Sequence, residues 1–432
     1  MKHIFLLFLL SIYSSSILFA QVNQNEELKE LIQKSYSYFP KIAEAENMIT
    51  SAEEKKKITE LNNKPGFSAN ANYQLLLPKI AFPINGNEVQ FVPVHNVGTS
   101  LNASWTIVDF GRFKTSIDKE KASIQLSKDQ VEVAKSQLKT QVASIYYSIV
   151  YLKKCLVIED SIIKFYKDNQ TLAERKVKNG DGLQTDVLNF QSSVDGEENK
   201  KLDLQIALNK QQHLLAYTTG VSDIKGTEFD FGRLTVLQEE KNGIIKIESK
   251  NPELALANDK IQSAKNDLNL VGLNNKPSLT LNAGSGIRNG FVPNVNDMRF
   301  NAMAGLSFLL PIDAFGKTKQ QVKYQQTLIK QNELSLKSLK HQLNKDIDQC
   351  ESNYWLLRSK KNHSENQIKA AKESQQLILS RYQNGVATFV DLSAAEANVE
   401  KASLSKLQDE YQMCMENRSE EHTSELQSRQ YL

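Results

Sequence analysis

Cysteine is scarce: Cys155, Cys350 and Cys414 are the only three in 432 residues. They are too far apart for a zinc or redox motif, and three thiols make no disulfide framework. Six scattered histidines show no metal-ligand spacing. Charge of one sign is also missing. The 53 basic residues against 50 acidic ones leave a net +3, which gives no electrostatic case for a nucleic-acid partner. No P-loop, triad spacing or metal cluster is present, so neither an enzyme nor a bound cofactor is expected. Proline (9) and glycine (18) are sparse for this length, which predicts long helices with little punctuation. Long apolar runs are lacking too. Past residue 20 the longest is about Ile145 to Leu152, far below the ~20 residues of a membrane-spanning helix. At 40% hydrophobic and 24% charged residues, the chain has too many apolar residues for disorder and too few for a helical membrane protein.

The N-terminus reads as an export signal over 1–20. Lys2 and His3 precede an apolar run, Ile4 to Leu10, and a second patch ends at Phe19-Ala20, after which cleavage is expected. An exported chain without a spanning helix is either soluble outside the cytoplasm or crosses a membrane as β-strands.

The chain is written twice. Leu61-Asn-Asn-Lys-Pro65 recurs as Leu273-Asn-Asn-Lys-Pro277, an offset of 212, and the same offset pairs Pro40 with Pro252 and Ile49 with Ile261. The offset then falls to 205, pairing Gly111 with Gly316, Asn179-Gly180 with Asn384-Gly385, and Asp186 with Asp391. Two halves of one plan differ by a loop length.

Within one half, residues 41–62 are helical in pattern and stop before Pro65-Gly66. Phe67, Ala69, Ala71, Tyr73 and Leu75 then alternate with Ser68, Asn70, Asn72 and Gln74, the period of a strand. A loop from Pro78 to about His95 separates this strand (67–77) from a second (97–108). The other half predicts strands at 278–288 and 299–310. Strands of about 9 to 11 residues suit a tilted membrane crossing, with small polar residues facing a wet lumen. Four strands do not close on themselves, and open edges are not tolerated in lipid. A membrane sheet therefore needs several copies of the chain, and three copies would supply twelve strands. A soluble four-stranded sheet is the alternative.

From Gly111 to about Lys178 there is no proline or glycine. Ile117, Ile124, Val131, Leu138, Ile145 and Leu152 repeat every seven residues, matched by Val322, Ile329, Leu336, Leu343, Cys350 and Leu357. Val142, Ile149, Leu156 and Ile163 mark a second seam, so the helix can pack on two sides, as a ring of helices requires. Sixty-odd residues make a helix of about 100 Å. Cys350 lies on the seam and is expected to be a buried thiol. The first hairpin spans 112–218 with its tip at 178–186; the second spans 316–415 with its tip at 382–391. Residues 220–250 read as an equatorial linker, so the repeats cover 21–219 and 251–417.

The tips and strand exits carry a family resemblance. Asn179-Gly180-Asp-Gly-Leu183-Gln-Thr185-Asp186-Val187-Leu188 and Arg381-Tyr382-Gln-Asn-Gly385-Val386-Ala-Thr-Phe-Val-Asp391-Leu392 look like the two hairpin tips of the TolC-like outer membrane efflux proteins. Trp105 to Arg112 and Leu310 to Lys317 are similar to that family's turns from strand into long helix, so Asp109-Phe-Gly111 is no kinase signature. The resemblance implies a mainly α fold with a membrane β-barrel: a homotrimer whose twelve-stranded barrel in the outer membrane continues as a periplasmic helical barrel. It implies a passive export duct of a tripartite efflux or type I secretion system. A periplasmic adaptor (membrane fusion) protein docks on the tips, and an inner-membrane RND, ABC or MFS pump drives transport.

Gly180, Leu183, Val187, Gly385, Val386 and Leu392 are the expected adaptor-docking residues, the glycines turning the chain and the rest offering apolar knobs. The resemblance assigns Thr185, Asp186, Tyr382 and Asp391 to a periplasmic gate, with Tyr382 and Asp186 as one polar link. The family's link arginine falls on Ala387 and its other carboxylate ring on Ala394. Helix capping is the alternative role for both aspartates. After about Met415 the pattern lapses, and 418–432 reads as a non-native tail. An exported coiled-coil scaffold or adhesin would share the heptads and the signal but leaves the four symmetric strands unexplained.

Overall fold

The computed structural model describes residues 26–84, 87–224, 231 and 251–424. The expected signal (1–20), linker residues 225–230 and 232–250, and tail residues 425–432 lie outside the described residues. The elements in order are α1 (26–38), α2 (Pro40–Leu61), β1 (Gly66–Leu75), β2 (Ala81–Ile84), β3 (Asn87–Gln90), β4 (His95–Val108), α3 (Arg112–Asn179), α4 (Gln184–Thr219), α5 (Pro252–Gly272), β5 (Ser278–Arg288), β6 (Arg299–Leu309), α6 (Lys317–Gln383) and α7 (Phe389–Ser424). Two compact units emerge. One comprises 46–129 and 256–337 and holds the strands. The other, of the described residues, comprises 26–45, 130–224, 231, 251–255 and 338–424 and holds the hairpin tips.

In the strand-bearing unit, the repeated Leu-Asn-Asn-Lys-Pro segments close the same turn. Lys64 N donates to Leu61 O (2.9 Å), and Lys276 N to Leu273 O (3.0 Å). The proline that follows has no N–H to continue a helix, and a strand begins. Four strands form one antiparallel sheet in the order β1-β4-β5-β6. The register Phe67↔Ala103, Ala103↔Ala283 and Ala283↔Ala304 puts the apolar positions of all four strands on one face. That face is bare: Phe67 is 82% exposed and Phe300 73%. The opposite face carries Asn, Ser, Thr and Gly, with Asn282 Nδ2 donating to Ser307 Oγ at 2.9 Å. β1 and β6 are the edges of this sheet.

Strand bounds depart modestly from expectation. β1 stops at Leu75, two residues short, as the chain approaches Pro78, which has no donor. β4 starts at His95, two residues early, because His95 pairs with Leu75 and its Nδ1 meets the Tyr73 hydroxyl at 2.9 Å. β6 ends at Leu309, one residue short. The predicted loop 78–95 is not all loop: β2 and β3 pair within it, with Phe82 and Phe91 edge to face at 5.9 Å. Asn85-Gly86 is a hairpin signal between them, masked by Pro83, which argues against a strand.

The strand exits are capped by aspartates. Asp109 accepts from Gly111 N (3.0 Å) and Phe113 N, and Asp313 from Lys317 N (2.7 Å) and Thr318 N (2.9 Å). Each satisfies otherwise orphaned donors at the start of a long helix. Arg112 braces the turn by donating to the carbonyls of Leu273 (2.9 Å), Asn274 (3.2 Å) and Lys276.

In the tip-bearing unit, Leu138, Val142, Ile145, Ile149 and Val150 of α3 pack with Leu28 and Leu31 of α1, Ile42 of α2, Leu215 of α4, and Leu407 and Cys414 of α7. Val142 and Ile149, from the second seam, are completely buried. Cys155, Cys350 and Cys414 are buried thiols, as the seam position of Cys350 predicted. α7 runs on to Ser424, so the helix enters the segment 418–432 that the sequence pattern had set apart. No described helix is long and apolar enough to cross a membrane.

Candidate functional site

The two hairpin tips close by the same motif. At the first, Gly180 N donates to Val177 O (3.0 Å) and Asp181 N to Lys176 O (2.9 Å); at the second, Gly385 N donates to Tyr382 O (3.1 Å) and Val386 N to Arg381 O (2.9 Å). These paired 5→2 and 6→1 bonds end a helix on a left-handed residue. Gly180 (φ 84°) and Gly385 (φ 75°) supply it. Gly182 is needed for a different reason: a Cβ there would lie 2.7 Å from Val177 N.

The returning helices begin differently. At the second tip, Thr388 and Asp391 form a capping box. Thr388 N and Oγ1 donate to Asp391 Oδ2 (2.9 and 2.8 Å), and Asp391 N donates to Thr388 Oγ1 (3.2 Å). These donors hold the Asp391 carboxyl below the usual range. At the first tip the equivalent cap position is Leu183, which offers no side-chain cap. Asp186 is therefore not engaged by a cap. It accepts from the Tyr382 hydroxyl at 3.2 Å, joining the start of α4 to the end of α6. Tyr382 and Asp186 are thus hydrogen-bonded within one chain, while Asp391 is occupied in capping.

Tyr382 is set from several sides. Its ring meets Phe190 edge on at 5.9 Å, and Phe190 meets Phe389 at 4.8 Å. Lys176 Nζ lies 4.7 Å from the Tyr382 ring centroid and donates to the Tyr382 carbonyl at 2.6 Å. Burial and the Asp186 carboxylate push the Tyr382 phenol up to about 12. Phe190, Phe389 and Lys176 escaped the sequence reading. Phe190 follows Asp186 by four residues on one helix face, a signal that was available.

The expected docking knobs divide. Leu183 (66% exposed) and Val386 (72%) project from the tips, as do Leu188 and Val390, which were not singled out as knobs. Leu392 is no knob: it is completely buried in the cluster of Ile162, Tyr166, Ala173, Phe190, Val194 and Tyr382. Its helical phase is the reason, since it shares a stripe with buried Ala395 and Glu396. Val187 is half-buried against the same cluster. Thr185 is exposed, and Ala387 packs on the cluster.

Comparison with known proteins agrees with this architecture. The Outer membrane efflux protein family matches residues 31–221 and 244–418. Among solved structures, CusC is similar with a TM-score of 0.77 at 14% identity, covering 92% of both chains. VceC of Vibrio cholerae gives 0.74 at 15%, covering 92% of this chain and 96% of its own. The open-state MtrE channel of Neisseria gonorrhoeae gives 0.72 at 16%, covering 92% and 88%. No curated protein sequence matches. Members of the matched family are passive outer membrane channels rather than enzymes. With the family covering both repeats and the duplicated strand-and-hairpin plan in place, the chain belongs to the outer membrane efflux protein family.

Proposed function

We propose that three copies of this chain assemble into an export duct of a tripartite system. A periplasmic adaptor docks on the hairpin tips, and an inner-membrane RND, ABC or MFS pump supplies the energy for efflux of small molecules or secretion of proteins. The observation that carries this reading is the sheet, whose apolar face is exposed and whose β1 and β6 are edges. Open edges in lipid leave backbone groups unsatisfied at several kcal/mol each. Edge-to-edge joining of three copies removes every edge and yields twelve strands, an even number in the usual range. The helices support the same reading. α4 carries exposed Leu202, Ile206 and Tyr217, and α6 exposed Leu356 and Leu377, three heptads apart. Such stripes fit helices of a neighbouring copy.

The tips supply the docking chemistry: Leu183, Leu188, Val386 and Val390 are small apolar knobs on rigid turns. The gate of the resting duct rests on the Tyr382–Asp186 bond, with Thr185 exposed beside it for contact with a neighbouring copy. Asp391 serves the gate by capping α7.

The test is the mass and conductance of the detergent-extracted protein, followed by Leu183→Asp and Val386→Asp. A trimer that conducts in planar bilayers is expected, and the two variants should keep conductance while losing adaptor binding. A monomer without conductance would overturn the duct. Variants that still bind adaptor would move docking away from the tips.

A further inference from the structure

Next to the aromatic cluster, on the side away from the tip turns, three helices bring carboxylates to one point. Glu159 of α3, Glu197 of α4 and Glu400 of α7 each place an oxygen within 4.8 Å of the others. Glu159 is only 1% exposed, and its Oε1 has no hydrogen-bond partner among the described residues. Among the described residues Lys200 is the cation at this point, 2.8 Å from both Glu197 and Glu400, with its side chain half exposed. A fourth carboxylate, Glu396, is buried close by and accepts from Gln375. Burial and the neighbouring carboxylates push Glu159 up to about 8 and Glu396 up to about 7. The one ammonium is shared by Glu197 and Glu400, so Glu159 keeps its proton near neutral pH unless another positive charge takes its place.

We propose that Glu159, Glu197 and Glu400 form a binding site for a hard divalent cation of the calcium class, which ties α3, α4 and α7 together. The donors are all carboxylate oxygens, the set that hard cations select over zinc or copper. Oxygens within 4.8 Å of one another have a common centre at most about 2.8 Å from each, so an inward shift of a few tenths of an ångström brings all three to the roughly 2.3–2.6 Å of calcium–oxygen bonds. Bidentate carboxylates with water complete the six to eight oxygens calcium takes. Glu159 Oε1 has no donor among the described residues, and its carboxyl faces that of Glu197, the pair a cation would bridge. Lys200 is the built-in competitor: its ammonium holds Glu197 and Glu400 when the cation is absent and swings to solvent when it binds. Glu197 lies eleven residues from Asp186 on α4, so the ion would clamp the two hairpins to each other a few turns from the tip.

The test uses the full-length detergent-extracted protein, stripped with a chelator and titrated with calcium chloride by calorimetry at pH 8, with melting followed in parallel. One calcium per chain and a rise in Tm are expected. Glu159→Gln should weaken binding at least tenfold while melting, in chelator, no lower than the wild type. Lys200→Met should tighten binding several-fold by removing the competitor. Glu400→Gln, at a less buried position, provides the same loss if Glu159→Gln does not fold. Equal calcium binding by wild type and Glu159→Gln would overturn the site. So would a wild type whose Tm ignores calcium but climbs as pH falls from 8.5 to 6.5, because a shared proton would then be filling the cluster.

Discussion

Tyr382→Phe isolates one bond. The variant removes the hydroxyl that donates to Asp186 Oδ2 at 3.2 Å and keeps the ring against Phe190 and beneath Lys176. A hydrogen bond to a charged acceptor contributes about 1.5–3 kcal/mol when buried. Asp186 is only half-buried and the bond is long, so about 1–1.5 kcal/mol is a fair value. If this bond holds the resting gate, that loss raises the open-to-closed ratio roughly five- to thirteenfold per chain. Single-channel open probability in planar bilayers reads this directly. Asp186→Asn should give a similar rise, and the double variant should add little, because both changes remove one interaction. Wild-type open probability in Tyr382→Phe and Asp186→Asn, or effects that simply add, would refute a gating role for this bond. The bond would then be local packing at the hairpin tips with no part in gating.

Leu183→Thr should introduce at the first tip the capping box that the second already has. The new hydroxyl would compete with Tyr382 for Asp186, giving a Tyr382→Phe-like rise in open probability while the start of α4 gains about 1 kcal/mol, visible as slower amide exchange. Gly385→Ala meets no atom within 4 Å of the new Cβ, so its cost is backbone strain alone, about 1–2 kcal/mol, measured as faster proteolysis or exchange at the second tip. Asp259 faces Asp129, and burial together with that carboxylate raises it to about 6. The folded state therefore holds a proton over about pH 4–6 that the unfolded chain has lost, so this group's contribution to stability falls as pH rises through that window. Asp259→Asn should flatten the Tm profile there and melt above the wild type at neutral pH; an unchanged slope would contradict the assignment.

Much of the fold was legible because the information is local. The 205-residue offset aligned Asn179-Gly180 with Asn384-Gly385, and both glycines turned out left-handed in the same bonding pattern. Alternation at Phe67 to Leu75 and Leu279 to Ile287 located strands and the apolar face together, since a strand's period of two ties sequence position to side. The tip was less legible. Leu392 and Leu183 are both leucines close to a turn, but one faces the aromatic cluster and the other solvent. Only the phase and tilt of the returning helices separate them.

By itself the sequence determined the duplicated plan, the four strands, the heptad-built hairpins and the tip turns. Each of these follows from periodicity or from a residue type that permits one backbone conformation. The tertiary structure decided which aspartate is engaged by a cap and which is available for Tyr382, a choice made by Leu183 against Thr388. It also assembled Glu159, Glu197 and Glu400, which lie 38 and 203 residues apart in sequence. Burial and mutual approach of charges depend on how separate helices pack, and no local pattern along the chain encodes that.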